Sequence, residues 1–75
     1  MALYKYQQFL SPSTHAAFDE IHAPGKLAPH SGIYRCSVCG HEAVSTSGNP
    51  LPPHGSHVHQ PGQGHISWRL IVTPA

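Results

Sequence analysis

Hydrophobic and polar positions alternate most regularly near the C-terminal end of this 75-residue chain. In HISWRLIV, Ile66, Trp68, Leu70 and Val72 fall on one face, with Ser67, Arg69 and Ile71 on the other. A period of two, carried by β-branched and aromatic residues, predicts a strand. A second region, IYRCSVCGHEAV, predicts a β-hairpin: residues 33–35 enter, CSVCG turns, and residues 42–45 leave. Gly40 suits a tight turn at positive φ that aims backbone N–H groups at the cysteine sulfurs.

Residues 1–24 have another texture. LYKYQQFL is ambiguous between the helical and strand periods. In SPSTHAAFDEIH, Ser13 or Thr14 can cap a short helix with Ala17, Phe18 and Ile21 at i, i+1 and i+4, ended by Pro24 and Gly25. A helix of about two turns is unstable alone in water, so it must pack on something. Phe9, Phe18 and Ile21 are therefore expected to patch a small core. PGKLAPHSG reads as turn and extended chain. STSGNPLPP reads as a loop, because proline cannot sit inside a central strand. The organisation expected is an N-terminal segment, 1–24, packed on a β-rich domain, 25–75.

Composition changes the picture. Eight prolines and seven glycines leave few side chains for an interior. Below roughly 70–80 residues a hydrophobic core supplies only about 3–5 kcal/mol. A structural metal site can add on the order of 10 kcal/mol. Charge adds little: four basic residues face three acids, with no basic stripe of the kind that phosphate neutralisation requires. The start, MALYKYQQFL, lacks the long apolar stretch of a secretory signal, and nowhere do roughly 18 apolar residues run together. A cytoplasmic address without membrane attachment is the expectation, and there Cys36 and Cys39 stay reduced.

The chemistry lies in Cys36-x2-Cys39 and the histidines that follow. Two thiolates and two imidazoles close a tetrahedron around zinc, and a CxxC turn supplies two converging sulfurs. Between Cys39 and His54, His57 and His59 lie 14, 17 and 19 residues, at or inside the interval between paired ligands in ribbon-type sites. His54 and His57 repeat the x2 spacing of a second knuckle behind Pro52 and Pro53. His54 and His59 have the x4 spacing of a finger-like pair. His57 and His59 would need to point to the same side of a loop. The expected ligands are Cys36, Cys39, His57 and His54, with His59 the alternative to His54.

Competing readings are weaker. A redox CxxC needs a helix after it to stabilise the thiolate, and Gly40 with a β-branched, Ser/Thr-rich run makes a poor one. A solvated, composition-biased loop would leave two thiolates without partners. His15, His22, His30, His41 and His65 lack paired spacing and suit surface or hydrogen-bonding roles, with His41 a neighbour of the site. Tyr34 and Trp68 suit lids over metal and core. Catalysis is not expected: Glu42 is the one nearby carboxylate, without an H-x-E or H-E-x-x-H context. GQG at 62–64 is a turn rather than a phosphate loop.

The stretch SGIYRCSVCGHEAVSTSGNPLPPHGSH resembles small bacterial zinc-ribbon proteins with the pattern G-x-Y-x-C-x-x-C-G, a polar run, G, then P-P-C-x-x-C. Gly32, Tyr34, Cys36, Cys39, Gly40, Gly48, Pro52 and Pro53 match, and His54 and His57 stand where the second cysteine pair would be. The whole chain is also similar to short bacterial chains labelled protein L, some of which keep histidines matching His57 and His59. The resemblance implies a ribbon fold and a structural metal, and it assigns no function. The expectation is a small metal-stabilised β-rich domain. It is a zinc ribbon of two knuckles, a β-hairpin and a C-terminal strand, with a short N-terminal helix. It would bind one zinc ion and act as a protein-binding adaptor. A metal buffer or sensor using the histidine-rich loop is the second reading. A weak nucleic-acid-binding ribbon using Arg35, Arg69, Tyr34 and Trp68 is the third. Cobalt, copper or nickel also suit such a donor set.

Overall fold

The computed structural model describes residues 1–53, 57–60 and 62–74. Three antiparallel strands, β1 (Gly32–Cys36), β2 (Glu42–Ser45) and β3 (Trp68–Val72), form one sheet in the order β2-β1-β3. The expected hairpin is β1 and β2, paired from Gly32↔Ser45 to Arg35↔Glu42. β3 pairs on the other side of β1, with Tyr34 opposite Leu70 and Cys36 opposite Trp68.

Alternation along these strands builds the core on one face. Tyr34, Cys36, Trp68 and Leu70 are buried, while Arg69 between the last two is exposed. Ile66, Leu51, Ala28 and Ala17 complete the cluster, with Phe18 packed against it. The two large polar rings are satisfied. The Tyr34 hydroxyl donates to the His30 carbonyl at 2.6 Å, and Trp68 Nε1 donates to the Pro52 carbonyl at 3.1 Å. The result is a small metal-ready β domain whose regular structure is mainly this sheet.

β3 is shorter than the alternation predicts. β1 turns away after Cys36, so residues 66 and 67 have no strand to pair with. The Ser67 carbonyl instead accepts from the Ser37 amide at 2.9 Å. The stretches around Leu27 and Pro50, expected to be non-regular, form an isolated bridge. Leu51 N–H donates to the Lys26 carbonyl at 2.8 Å and Ala28 N–H to the Asn49 carbonyl at 2.8 Å. That pairing carries Leu51 and Ala28 into the core.

The N-terminal helix contracts to a 3-10 turn at Ala16–Phe18, with a second at Gln7–Phe9. The cap is neither Ser13 nor Thr14: His15 Nδ1 accepts from the Ala17 amide at 3.0 Å. Sheet pairing overrides helix propagation here. His22 exchanges two backbone hydrogen bonds with Trp68, both at 2.8 Å, on the outer edge of β3. Extended chain at this point turns His22 inward and leaves Ile21 outside, 55 % exposed. Phe9, at 77 % exposure, does not patch the core either. Among the described residues no helix is long and apolar enough to cross a membrane.

Candidate metal centre

The turn between β1 and β2 sets the cysteines. The Gly40 amide donates to the Cys36 carbonyl at 2.9 Å, and the Cys36 amide donates to the His41 carbonyl at 2.7 Å. Gly40 adopts φ +82°, the left-handed region that glycine enters without steric cost. Cys36, at the end of β1, is buried, and Cys39, at the tip of the turn, is exposed. The second group comes from the chain between Leu51 and β3. His57 and His59 both bring a ring nitrogen to the cysteines, while Val58 between them is 91 % exposed.

One ligand atom each from Cys36, Cys39, His57 and His59 lies within 4.8 Å of the other three. Cys36 Sγ is 3.3 Å from His59 Nε2, and His57 Nε2 is 3.1 Å from His59 Nε2. A tetrahedron with metal–sulfur bonds of about 2.3 Å and metal–nitrogen bonds of about 2.0–2.1 Å has edges of about 3.3–3.8 Å. The Cys36–His59 and His57–His59 separations are close to that size.

Electrostatics agree with a cation site. Burial pushes the Cys36 thiol up, but the backbone amides of Ser67, Cys39 and Val38, with the His57 side chain, outweigh it and bring the pKa down to about 5. Near neutral pH Cys36 is therefore a thiolate. His59 Nδ1 is 2.8 Å from the Gly64 carbonyl. That carbonyl can only accept, so Nδ1 carries a proton and Nε2 of the neutral ring presents its lone pair. The Gly64 contact is the main reason the His59 pKa is raised; burial opposes it and the Cys36 thiolate adds to it. A thiolate and imidazole lone pairs directed at one point need a proton or a metal between them. The donor set, two thiolates and two imidazoles, fits a tetrahedral metal ion.

The structure thus brings together Cys36, Cys39, His57 and the alternative ligand His59. His54, the first choice on spacing, lies outside the described residues. His41 is exposed and stacks on His57 with ring centroids 4.4 Å apart. Trp68 meets His57 edge-on at 5.5 Å and lies 6.3 Å from His41, so the three rings form one cluster. Three contributors have no signature in the sequence: the Gly64 carbonyl behind His59, and the Ser67 and Val38 amides behind Cys36. His22 is buried rather than at the surface, and neither ring nitrogen has a hydrogen-bond partner among the described residues.

Glu42 is placed away from the cluster. It pairs with Arg35 in the β1–β2 register, on the opposite sheet face from Cys36, and its carboxylate takes the Met1 amino group at 2.7 Å. Tyr34 and Trp68 are fully buried and present no ring face to a base.

Comparison with curated proteins finds a similar bacterial chain. A curated Escherichia coli protein named Protein L is 53 % identical over 49 residues, which cover 65 % of this chain and 55 % of that protein. The match thus spans about half of that relative's length. No family model matches the chain. No solved structure matches it.

Proposed function

We propose that the chain is a zinc-ribbon-like binding module. Cys36, Cys39, His57 and His59 hold one zinc ion, and the metal fixes a surface that engages a protein partner. The observation that carries this reading is the convergence of four donors from two separate chain segments within 4.8 Å. Zinc is preferred because a closed set of two thiolates and two imidazoles is its usual structural site. The metal, when bound, supplies cross-linking between the β1–β2 turn and the loop before β3. An adaptor role rather than catalysis is supported by the position of Glu42 on the far sheet face, where no carboxylate can serve a metal-bound water as general base.

The test is titration of the reduced, metal-free chain with cobalt(II), then displacement by zinc. Tetrahedral cobalt with two thiolates gives intense visible bands and a sulfur-to-metal charge-transfer band, with one equivalent bound. Weak octahedral bands, or no charge transfer, would overturn the assignment. Tighter retention of copper or nickel than zinc would overturn the metal's identity alone. A second reading, metal buffering, is favoured by His41 stacked 4.4 Å from His57 as a spare imidazole at the rim. It predicts more than one metal per chain in native mass spectrometry.

A further inference from the structure

The Cys/His cluster uses one face of the sheet. On the other, Arg35 and Arg69 stand directly opposite each other in the β1–β3 register. Like charges in that relation repel, and the chain has only four Lys and Arg residues in all. Half of its fixed cationic side chains are thus spent on one unfavourable cross-strand pair. The two line a cleft of about 530 Å³ with Ser11, Ser13, Phe18 and Ile71.

The arginines are held differently. Arg69 Nε donates to the Phe18 carbonyl at 2.6 Å, and one terminal nitrogen lies 3.4 Å from the Asp19 carboxylate, itself 73 % exposed. Those contacts tie the turn at Ala16–Phe18 to the rim and leave part of the guanidinium fork open. Arg35 makes no hydrogen bond or close ion pair among the described residues. Its cross-strand acid, Glu42, takes the Met1 amino group instead and interacts with Arg35 only at longer range. The Arg35 guanidinium rests over Gly40, where an added Cβ would come within 2.9 Å of Nη2.

We propose that this cleft binds a small organic oxyanion, a carboxylate or a phosphate monoester, whose apolar body rests on Phe18 and Ile71. Two planar guanidinium groups lining one cleft can donate to the oxygens of such a group. An oxyanion between them also relieves the Arg35–Arg69 repulsion. The Ser11 and Ser13 hydroxyls supply neutral polar groups at the rim. The cleft lies within the roughly 300–1,000 Å³ range of small-molecule sites. Its floor is sheet, which holds the arginines at fixed spacing.

The experiment is an NMR titration of the full, zinc-loaded chain with phenyl phosphate, benzoate, inorganic phosphate and benzyl alcohol. Saturable shifts are expected at the Arg35 and Arg69 Nε–H groups and the Ile71 amide. Either phenyl phosphate or benzoate should bind at least about tenfold tighter than inorganic phosphate and benzyl alcohol. Which of the two is tighter distinguishes the sources of the oxyanion. Arg69→Gln also removes the Phe18 contact, so Arg35→Gln carries the test. It should weaken binding by about tenfold or more at unchanged zinc content. Absence of saturation up to about 10 mM, Arg35→Gln binding as tightly as the parent, or equal affinity for inorganic phosphate would each overturn the proposal.

Discussion

Replacing His59 with alanine tests the proposed metal centre most sharply, because the sequence offers both His54 and His59 for the fourth ligand and the described residues bring only His59 to the cluster. Structural zinc contributes about 10–16 kcal/mol in small zinc-dependent folds. Shared over four donors, that is about 2.5–4 kcal/mol each, or roughly 10²- to 10³-fold in affinity. His59→Ala also removes the hydrogen bond to the Gly64 carbonyl at 2.8 Å, worth about 1 kcal/mol, which places the expected loss at the upper end of that range. A core of this size supplies only about 3–5 kcal/mol, so the variant should show the circular dichroism of an unfolded chain at micromolar zinc and refold only in excess metal. The assay is competition for zinc against a chromophoric chelator, with circular dichroism in parallel, for His54→Ala, His57→Ala and His59→Ala. His57→Ala and His59→Ala should fall together, with His54→Ala within about threefold of the parent. The reasoning fails if His54→Ala loses zinc and His59→Ala keeps it.

Acid should release the metal in a defined window. The Cys36 pKa falls from its ordinary 9.0 to about 5, so the thiolate stabilises the metal-free fold fully above its ordinary value and not at all once pH has fallen through about 5. His59 is raised, so its contribution is full below the ordinary imidazole value and is lost as pH rises through the raised one. Metal-free stability should therefore climb from about pH 5 and flatten as His59 deprotonates. In the zinc form protons compete at His59 before Cys36, so zinc release and loss of ellipticity should coincide above about pH 5; a zinc-loaded fold that persists well below that pH would contradict this. Trp68→Ala should destabilise the zinc form by about 3–5 kcal/mol in urea titrations, since the ring is fully buried and hydrogen-bonded to Pro52; a loss under about 1 kcal/mol would refute its place in the core. His22→Leu should be neutral or stabilising by up to about 2 kcal/mol, because it removes two buried ring nitrogens that lack hydrogen-bond partners among the described residues. A clear destabilisation in the same titration would mean that the imidazole has a partner.

The hairpin was legible because its signals are local. Residues 42–45 are the expected second strand, and Gly40 lies at positive φ as its place after Cys39 implies. Trp68 and Leu70 follow from alternation alone. Leu51 and Ala28 do not: each sits among prolines and turn residues, and only the pairing of two loops buries them. The N-terminal helix misled for a related reason. Its spacing suits a helix, but the cap falls at His15 instead of Ser13 or Thr14, and His22 gains two backbone hydrogen bonds by joining the sheet edge, where about two helical turns are unstable alone. At the metal centre, spacing favoured His54 because knuckles are counted by x2 intervals. His54 lies outside the described residues; among those described His57 and His59 both reach the cysteines, a convergence that loop composition does not announce.

One strand links the two surfaces. Along β1, Tyr34 and Cys36 point to the core and the donor cluster, while Arg35 between them points to the cleft. The Cys36–Gly40 turn is common to both, since the Arg35 guanidinium packs over Gly40 and the Gly40 amide closes the turn onto the Cys36 carbonyl. Metal held by the donor cluster, as proposed, would brace that turn, while the β1–β3 pairing keeps Arg35 in register with Arg69. In the metal-free chain the turn loses its cross-link to the loop carrying His57 and His59, and the rest of the core is too small to replace it. On the proposed reading, a metal on one face of the three-stranded sheet would therefore steady the arginine-lined cleft on the other without touching its ligand.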